Sequence, residues 1–260
     1  MTPSLSYVER GDRSGDDAPA LILLPGPTDS WVSYEQVLDR LPPSVRAVAV
    51  SLRGHGDSEA PASGYGVEDL ASDVVPLLDR LGIARAVIAG HSGSCLVARR
   101  VALDSPHRVA GLVLEASPTT LRGDTRLRSL LDAVLAGLTD PIDADFARSW
   151  IVDTSSDVLP PALVARLVAE VRKVRAPVWR EMFAALVDYD DTAELARIGM
   201  PSLLVWGDAD AIVDRAAQEQ LVASLPDAEL VVYPGVGHTP RWDDPARFAA
   251  DVAAFVAGRA

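Results

Sequence analysis

Gly90-His91-Ser92-Gly93-Ser94 stands between an apolar run, Ala86 to Ala89, and an amphipathic stretch, Ser94 to Asp104. A buried strand that turns sharply into a helix presents the middle residue of such a pentapeptide above the edge of a sheet, with its hydroxyl exposed. The turn needs small residues on either side, because it is strained and neighbouring backbones pass close to it. The helix that follows contributes its N-terminal dipole, and the Gly93 N–H can point at negative charge developing beside Ser92.

Outward from this turn, short apolar runs bounded by Gly, Pro or Asp recur at Ala20 to Leu24, Ala47 to Ser51, Gly111 to Glu115, Ser202 to Trp206 and Glu229 to Tyr233. Strands covered on both faces lose polar alternation, so these runs predict a largely parallel sheet. Amphipathic stretches at Val67 to Leu81, Ala216 to Leu225 and Pro245 to Val256 lie between or after them. Strand and helix alternate, which makes the fold class α/β with helices on both faces of the sheet.

The alternation breaks between Pro118 and Arg197. Arg126 to Leu138, Ala144 to Ile151, Ala162 to Val174 and Val178 to Asp188 carry apolar residues at three and four spacing, interrupted by Pro141, Pro160, Pro161 and Pro177. We read an inserted all-helical cap over 118–197, dividing the core into 1–117 and 198–260. The insertion holds Phe146, Trp150, Trp179, Met182 and Phe183. Packing the insertion onto the core accounts for most such residues. Phe146, Trp150, Trp179 and Phe183, with Trp31 from the core, are the candidates for a substrate pocket. Gly11 to Asp17 reads as a polar hairpin connection.

A serine is a weak nucleophile until a base takes its proton, and the base must itself be oriented by a carboxylate. Of four histidines, His91 is fixed in the sharp turn, His55 lies in Arg53-Gly54-His55-Gly56-Asp57-Ser58, and His107 follows Pro106 at a helix end. His238 lies in Gly235-Val236-Gly237-His238-Thr239-Pro240, after the last strand, where a side chain can reach back over the strand ends. Trp206-Gly207-Asp208-Ala209-Asp210 follows the preceding strand and gives the order Ser, Asp, His along the chain.

These segments, in this order, resemble the cap-bearing α/β-hydrolase superfamily over nearly the whole chain. The resemblance implies a mostly parallel α/β-hydrolase sheet and a Ser92, His238 and Asp210 triad. The second carboxylate of the family's Gly-Asp-x-Asp segment maps to Asp210, leaving Asp208 and Asp214 as loop or capping residues. Glu115 competes with Asp210, because some members take the acid from the strand before the cap. Leu24-Pro25-Gly26-Pro27-Thr28-Asp29 occupies the loop that normally reads His-Gly-x and supplies an oxyanion N–H. Pro27 falls at that place and has no N–H to give, so Gly93 is one donor and Thr28 is the candidate for the other. The elbow ends in Ser94 where the family has Gly, a pattern similar to Gly-x-Ser-x-Ser of the plant strigolactone and karrikin receptors and of a bacterial stress-signalling hydrolase. The resemblance implies a cofactor-free hydrolase of a small, largely apolar ester, lactone or related acyl or carbon–carbon substrate. A lyase or cyclase on the same site, or a ligand-capturing receptor, are the alternatives.

Bulk composition agrees with a globular enzyme. The 260 residues carry 24 Lys and Arg against 37 Asp and Glu, a net charge of −13. Such a surface repels phosphate backbones and anionic lipids, so neither nucleic acid nor membrane is the expected partner. No His/Cys cluster predicts a metal. Cys95 is the one cysteine, suited to a buried place on the helix after the elbow. Without a leader-like N-terminus or a long apolar run, the expectation is a cytoplasmic, soluble monomer or homodimer.

Overall fold

The computed structural model describes residues 2–12, 19–155 and 159–259. Seven strands form one sheet: β1 Tyr7–Arg10, β2 Ala20–Leu24, β3 Ala47–Val50, β4 Ala86–His91, β5 Val109–Glu115, β6 Ser202–Gly207 and β7 Ala228–Tyr233. Their order across the sheet is β1-β3-β2-β4-β5-β6-β7. All neighbours run parallel except β1, which pairs antiparallel with β3, Tyr7 opposite Val50. The six apolar runs of the sequence are β2 to β7. Edge strand β1 escapes the pattern because its YVER sequence is half exposed and offers no apolar run. Of the polar connection expected over 11–17, all but Gly11 and Asp12 lies outside the described residues.

Period-two alternation splits each strand between two cores. Leu21 and Leu23 face one with Ala47, Val87 and Val113, while Ile22 and Leu24 face the other with Val48, Ile88 and Leu112. The first core is closed by α1 Glu35–Leu38, through Val37 and Leu38, and by the C-terminal Pro245–Ala257 helix, through Phe248, Val252 and Val256. The second is closed by α2 Val67–Ser72, α3 Val74–Arg80 and α4 Ser94–Asp104. The single helix expected over Val67 to Leu81 is interrupted at Asp73, since Pro76 cannot donate to the Ser72 carbonyl one turn back. Asp73 is buried there and receives both Nε and Nη2 of Arg53, at 2.6 and 2.5 Å.

Between β5 and β6 the chain forms α5 Thr125–Gly137, α6 Ala144–Val152, α7 Pro161–Val171 and α8 Ala176–Asp188. Among the described residues the remaining α-helices are α9 Arg215–Ser224, α10 Pro240–Asp243 and α11, the C-terminal helix above. Among the described residues no helix is long and apolar enough to cross a membrane.

Arg99, on α4, fastens both ends of the segment between β5 and β6. Its guanidinium donates to the carbonyls of Pro118 and Thr119, each at 2.9 Å, and to both oxygens of Asp191 at 3.0 and 2.6 Å. Arg99 and Asp191 are both fully buried, so removing the cation strands a carboxylate in the interior. Arg99→Ala is therefore expected to lower unfolding free energy by about 3–5 kcal/mol in urea titrations. A loss below 1 kcal/mol would mean that water replaces the guanidinium.

His55 makes a second stability prediction. Its ring is fully buried, Nδ1 faces the Arg53 carbonyl at 2.8 Å, and burial lowers its pKa from 6.5 to about 4. The folded chain thus holds fewer protons than the unfolded one, and stability is lost as pH falls from 6.5 toward 4, by up to ~1.4 kcal/mol per pH unit. His55→Asn keeps a donor for the Arg53 carbonyl and does not titrate. The wild-type stability curve should fall away from the variant's over this range; parallel curves would refute the assignment. The comparison isolates His55 from the buried carboxyls Asp29 and Glu115, whose raised pKa values act in the opposite sense.

Candidate active site

Because the central strands are parallel, the loops that leave β2, β4, β6 and β7 all emerge at one edge of the sheet, the carboxyl edge. Ser92 leaves β4 with φ +52°, a left-handed conformation that costs a non-glycine residue about 1–3 kcal/mol. The turn is held by Ser92 N–H to the Glu115 carbonyl at 2.9 Å and by Cys95 N–H to the Ser92 carbonyl at 2.9 Å. A side chain at Gly90 would start 2.5 Å from the Ser94 carbonyl oxygen, so the strand can enter this turn only as glycine. Ser94 Oγ donates to the Pro25 carbonyl at 2.6 Å, tying the elbow to the loop after β2. The departure from the family glycine at 94 thus has a structural use.

His238 follows β7 and is buried. Its Nδ1 lies 2.8 Å from Asp210 Oδ2, and the Asp210 side chain is inaccessible to solvent. Asp210 Oδ1 accepts the N–H groups of Ile212 at 2.8 Å and Val213 at 3.0 Å, which fixes the carboxylate. With a carboxylate opposite, Nδ1 carries the proton and Nε2 is left as the basic nitrogen. His91 Nε2 donates to the His238 carbonyl at 2.9 Å, and the two rings lie 4.9 Å apart. His238 is thereby placed against the residue that precedes Ser92. Burial, then the charges of Arg241 and His238, hold the His91 pKa well below its ordinary value, so it stays a neutral spacer. Ser92 Oγ and His238 Nε2 make no hydrogen bond among the described residues.

Glu115 is committed elsewhere. It accepts the Arg241 N–H at 2.9 Å and faces Arg241 Nη1 at 3.4 Å; Asp29 takes Nη2 at 2.8 Å and Ser33 Oγ takes Nε at 2.9 Å. The guanidinium stacks 4.5 Å from the Trp242 ring. Burial raises the pKa of both Glu115 and Asp29, against the lowering pull of Arg241. Arg241 is the residue that sequence reasoning missed. Its one signal was that a strand as buried as β5, ending in Glu115, requires a cation nearby.

The other expected residues fall as follows. Asp208 accepts the Gly235 N–H at 2.6 Å and Asp214 caps α9 through the Ala217 N–H at 2.9 Å. Cys95 is buried, its thiol pushed up to about 12 by desolvation, and is inert. Pro27 packs on the elbow, with its Cγ 2.9 Å from where a Gly93 side chain would begin. Thr28 is buried with φ +73°, and its Oγ1 accepts the Trp150 indole N–H at 3.0 Å. Phe146, Trp150, Trp179 and Phe183 come together, Trp150 lying 4.9 Å from Trp179 and 5.5 Å from Phe183 between ring centres. Leu186 of α8 reaches Gly93. Trp31 packs half-buried against both cores. A cleft of about 320 Å³ lined by Val134, Leu138, Thr139, Asp143 and Phe146 opens between α5 and α6, so Phe146 borders both the cleft and the aromatic cluster.

Comparison with known proteins gives a consistent result. The family described as "alpha/beta hydrolase fold" matches residues 19–245. A non-heme chloroperoxidase of Streptomyces lividans is 30% identical, over 88% of this chain and 87% of its own length. The pimeloyl-[acyl-carrier protein] methyl ester esterase of Yersinia enterocolitica is 27% identical, over 90% and 92%. Among solved structures, a hydrolase from Pseudomonas aeruginosa PA01 superimposes with a TM-score of 0.83 at 28% identity, covering 98% of this chain and 94% of that one.

Proposed function

This chain belongs to the α/β-hydrolase fold family, and on that premise we propose that it is a serine hydrolase of a small, largely apolar ester or lactone. The observation that carries the reading is the buried His238–Asp210 pair, 2.8 Å apart, set against the residue preceding a left-handed Ser92. The esterase name of the Yersinia relative supports an acyl substrate. Residues 118–197 form the cap, and the cluster of Phe146, Trp150, Trp179 and Phe183 forms the apolar wall that an acyl group meets.

In this reading Ser92 Oγ attacks the acyl carbon as its proton passes to His238 Nε2. Asp210 holds the ring and balances the imidazolium. The carbonyl oxygen becomes an oxyanion that takes the Gly93 N–H, with Thr28 as the second donor. Collapse expels the alkoxide, which leaves with the proton from Nε2. Water, deprotonated by the same nitrogen, then releases the acid and regenerates Ser92.

A fluorophosphonate probe tests the reading, since Ser92 Oγ would displace fluoride from phosphorus while His238 takes the proton. Labelling should map to Ser92 and vanish in Ser92→Ala; labelling that persists would remove the nucleophile. Pro27 favours a second reading, in which a site short of one oxyanion donor runs a lyase or cyclisation step. An acyl-enzyme trapped from an ester panel would exclude it.

A further inference from the structure

The loop after β2 cannot use the donor that its position would ordinarily supply, because residue 27 is proline. The next amide belongs to Thr28, which is wholly buried, and among the described residues neither its N–H nor that of Gly93 meets an acceptor. An amide that is to donate to an oxyanion must be free of an acceptor within the chain, and these two meet that condition. Both lie in the same contact, since Pro27 packs on Gly93 and Ser94 Oγ fastens the loop through the Pro25 carbonyl.

A β-branched residue at φ +73° needs surroundings that hold it there. Two bonds do so: Asp29 N–H to the Gly26 carbonyl at 3.0 Å, and the Trp150 indole N–H to Thr28 Oγ1 at 3.0 Å. The second comes from α6, 122 residues away in sequence. The turn just past α6 also holds the other side of the site, because the Thr154 carbonyl accepts the His238 N–H at 3.2 Å. One helix and its following turn therefore touch the loops of both the oxyanion donor and the base.

We propose that Trp150 is a positioning residue, whose indole N–H holds Thr28 in the left-handed turn that aims its amide at the substrate oxygen and so replaces the donor missing at Pro27. The inference rests on the hydrolase reading above. It makes the segment between β5 and β6 part of the oxyanion site as well as a wall of the pocket. Trp150 acts through Thr28 and does not itself bind the oxyanion.

The test uses the full chain, with p-nitrophenyl acetate hydrolysis and the fluorophosphonate labelling rate as its two readouts. Trp150→Phe keeps an aromatic ring and deletes the N–H. Because deleting an oxyanion donor outright costs about 10²–10³ in rate, loosening one should lower kcat roughly 10- to 100-fold, with KM within about twofold and labelling slowed in parallel. Thr28→Val removes the acceptor with little change of shape and should reproduce the loss. The double variant should be no worse than either single one, since all three break the same bond. If Trp150→Phe fails to fold by thermal melting, Thr28→Val alone decides. Wild-type rates in the variants, a change confined to KM, or additive losses would overturn the inference while leaving Ser92 as nucleophile. Failure of the wild type to label at Ser92 would overturn the hydrolase reading, and this inference with it.

Discussion

Ser92→Ala and His238→Ala are each expected to lower kcat by on the order of 10⁶, and the double variant should lose no more, because in the proposed mechanism the two side chains perform one proton-coupled attack and neither half works alone. The fold should survive in Ser92→Ala. Ser92 Oγ makes no hydrogen bond among the described residues, so alanine removes no contact that stabilises the turn. The left-handed backbone at φ +52° is equally strained for alanine. His238→Ala differs, since it strips Asp210 of the imidazole while leaving the Ile212 and Val213 amides in place. A cost in melting temperature is expected there. Kinetics with a p-nitrophenyl ester measure the loss of turnover, and thermal melting measures the cost in stability. Losses that multiply in the double variant would show that the two residues act in separate steps, and the triad would have to be abandoned.

The parallel core was legible in the sequence because burial on both faces leaves unbroken apolar runs, as in Ala20–Leu24, where every residue is buried. The same logic fails for Tyr7–Arg10, a half-exposed edge strand whose existence depends on pairing with Val50 to Ala47. The elbow was legible because the constraints on Gly90 and Ser92 are local. Gly90 must lack a side chain because the Ser94 carbonyl is four residues away in the same turn. Sequence order alone also brought His238 and Asp210 to the same edge, since both follow strands that run the same way.

What could not be read are contacts between distant segments. Arg241 meets Asp29 across 212 residues and Glu115 across 126, and nothing local to Pro240-Arg241-Trp242 marks its guanidinium as fully buried. The Trp150 contact is similar. Its spacing with Phe146 and Ile151 on α6 fixes an apolar face, yet only the docking of that helix brings the indole N–H to Thr28. Pro27 was visible as a departure, while the left-handed turn that follows it was not, because threonine carries no preference for that conformation.

Asp210→Asn is expected to lower kcat by about 10⁴ with the fold intact, because the substitution changes a tautomer and little else. The asparagine oxygen can still accept the Ile212 and Val213 amides, as Asp210 Oδ1 does now at 2.8 and 3.0 Å. Its NH₂ then faces His238 Nδ1, which must become an acceptor, so the ring proton moves to Nε2 and His238 can no longer serve as the proposed base for Ser92. Glu115→Gln is the informative contrast. Glu115 is fully buried but spends its oxygens on Arg241, and glutamine can still accept the Arg241 N–H while Asp29 continues to neutralise the guanidinium. The result should be a loss of stability with kcat reduced by less than about tenfold, as befits a charge that the base feels without touching. Steady-state kinetics on one ester, with urea titrations of both variants, separate the two roles. Should Glu115→Gln cost more turnover than Asp210→Asn, the carboxylate that orients His238 during the reaction would be the one on β5, and the 2.8 Å pair with Asp210 would describe a resting arrangement that the catalytic cycle leaves.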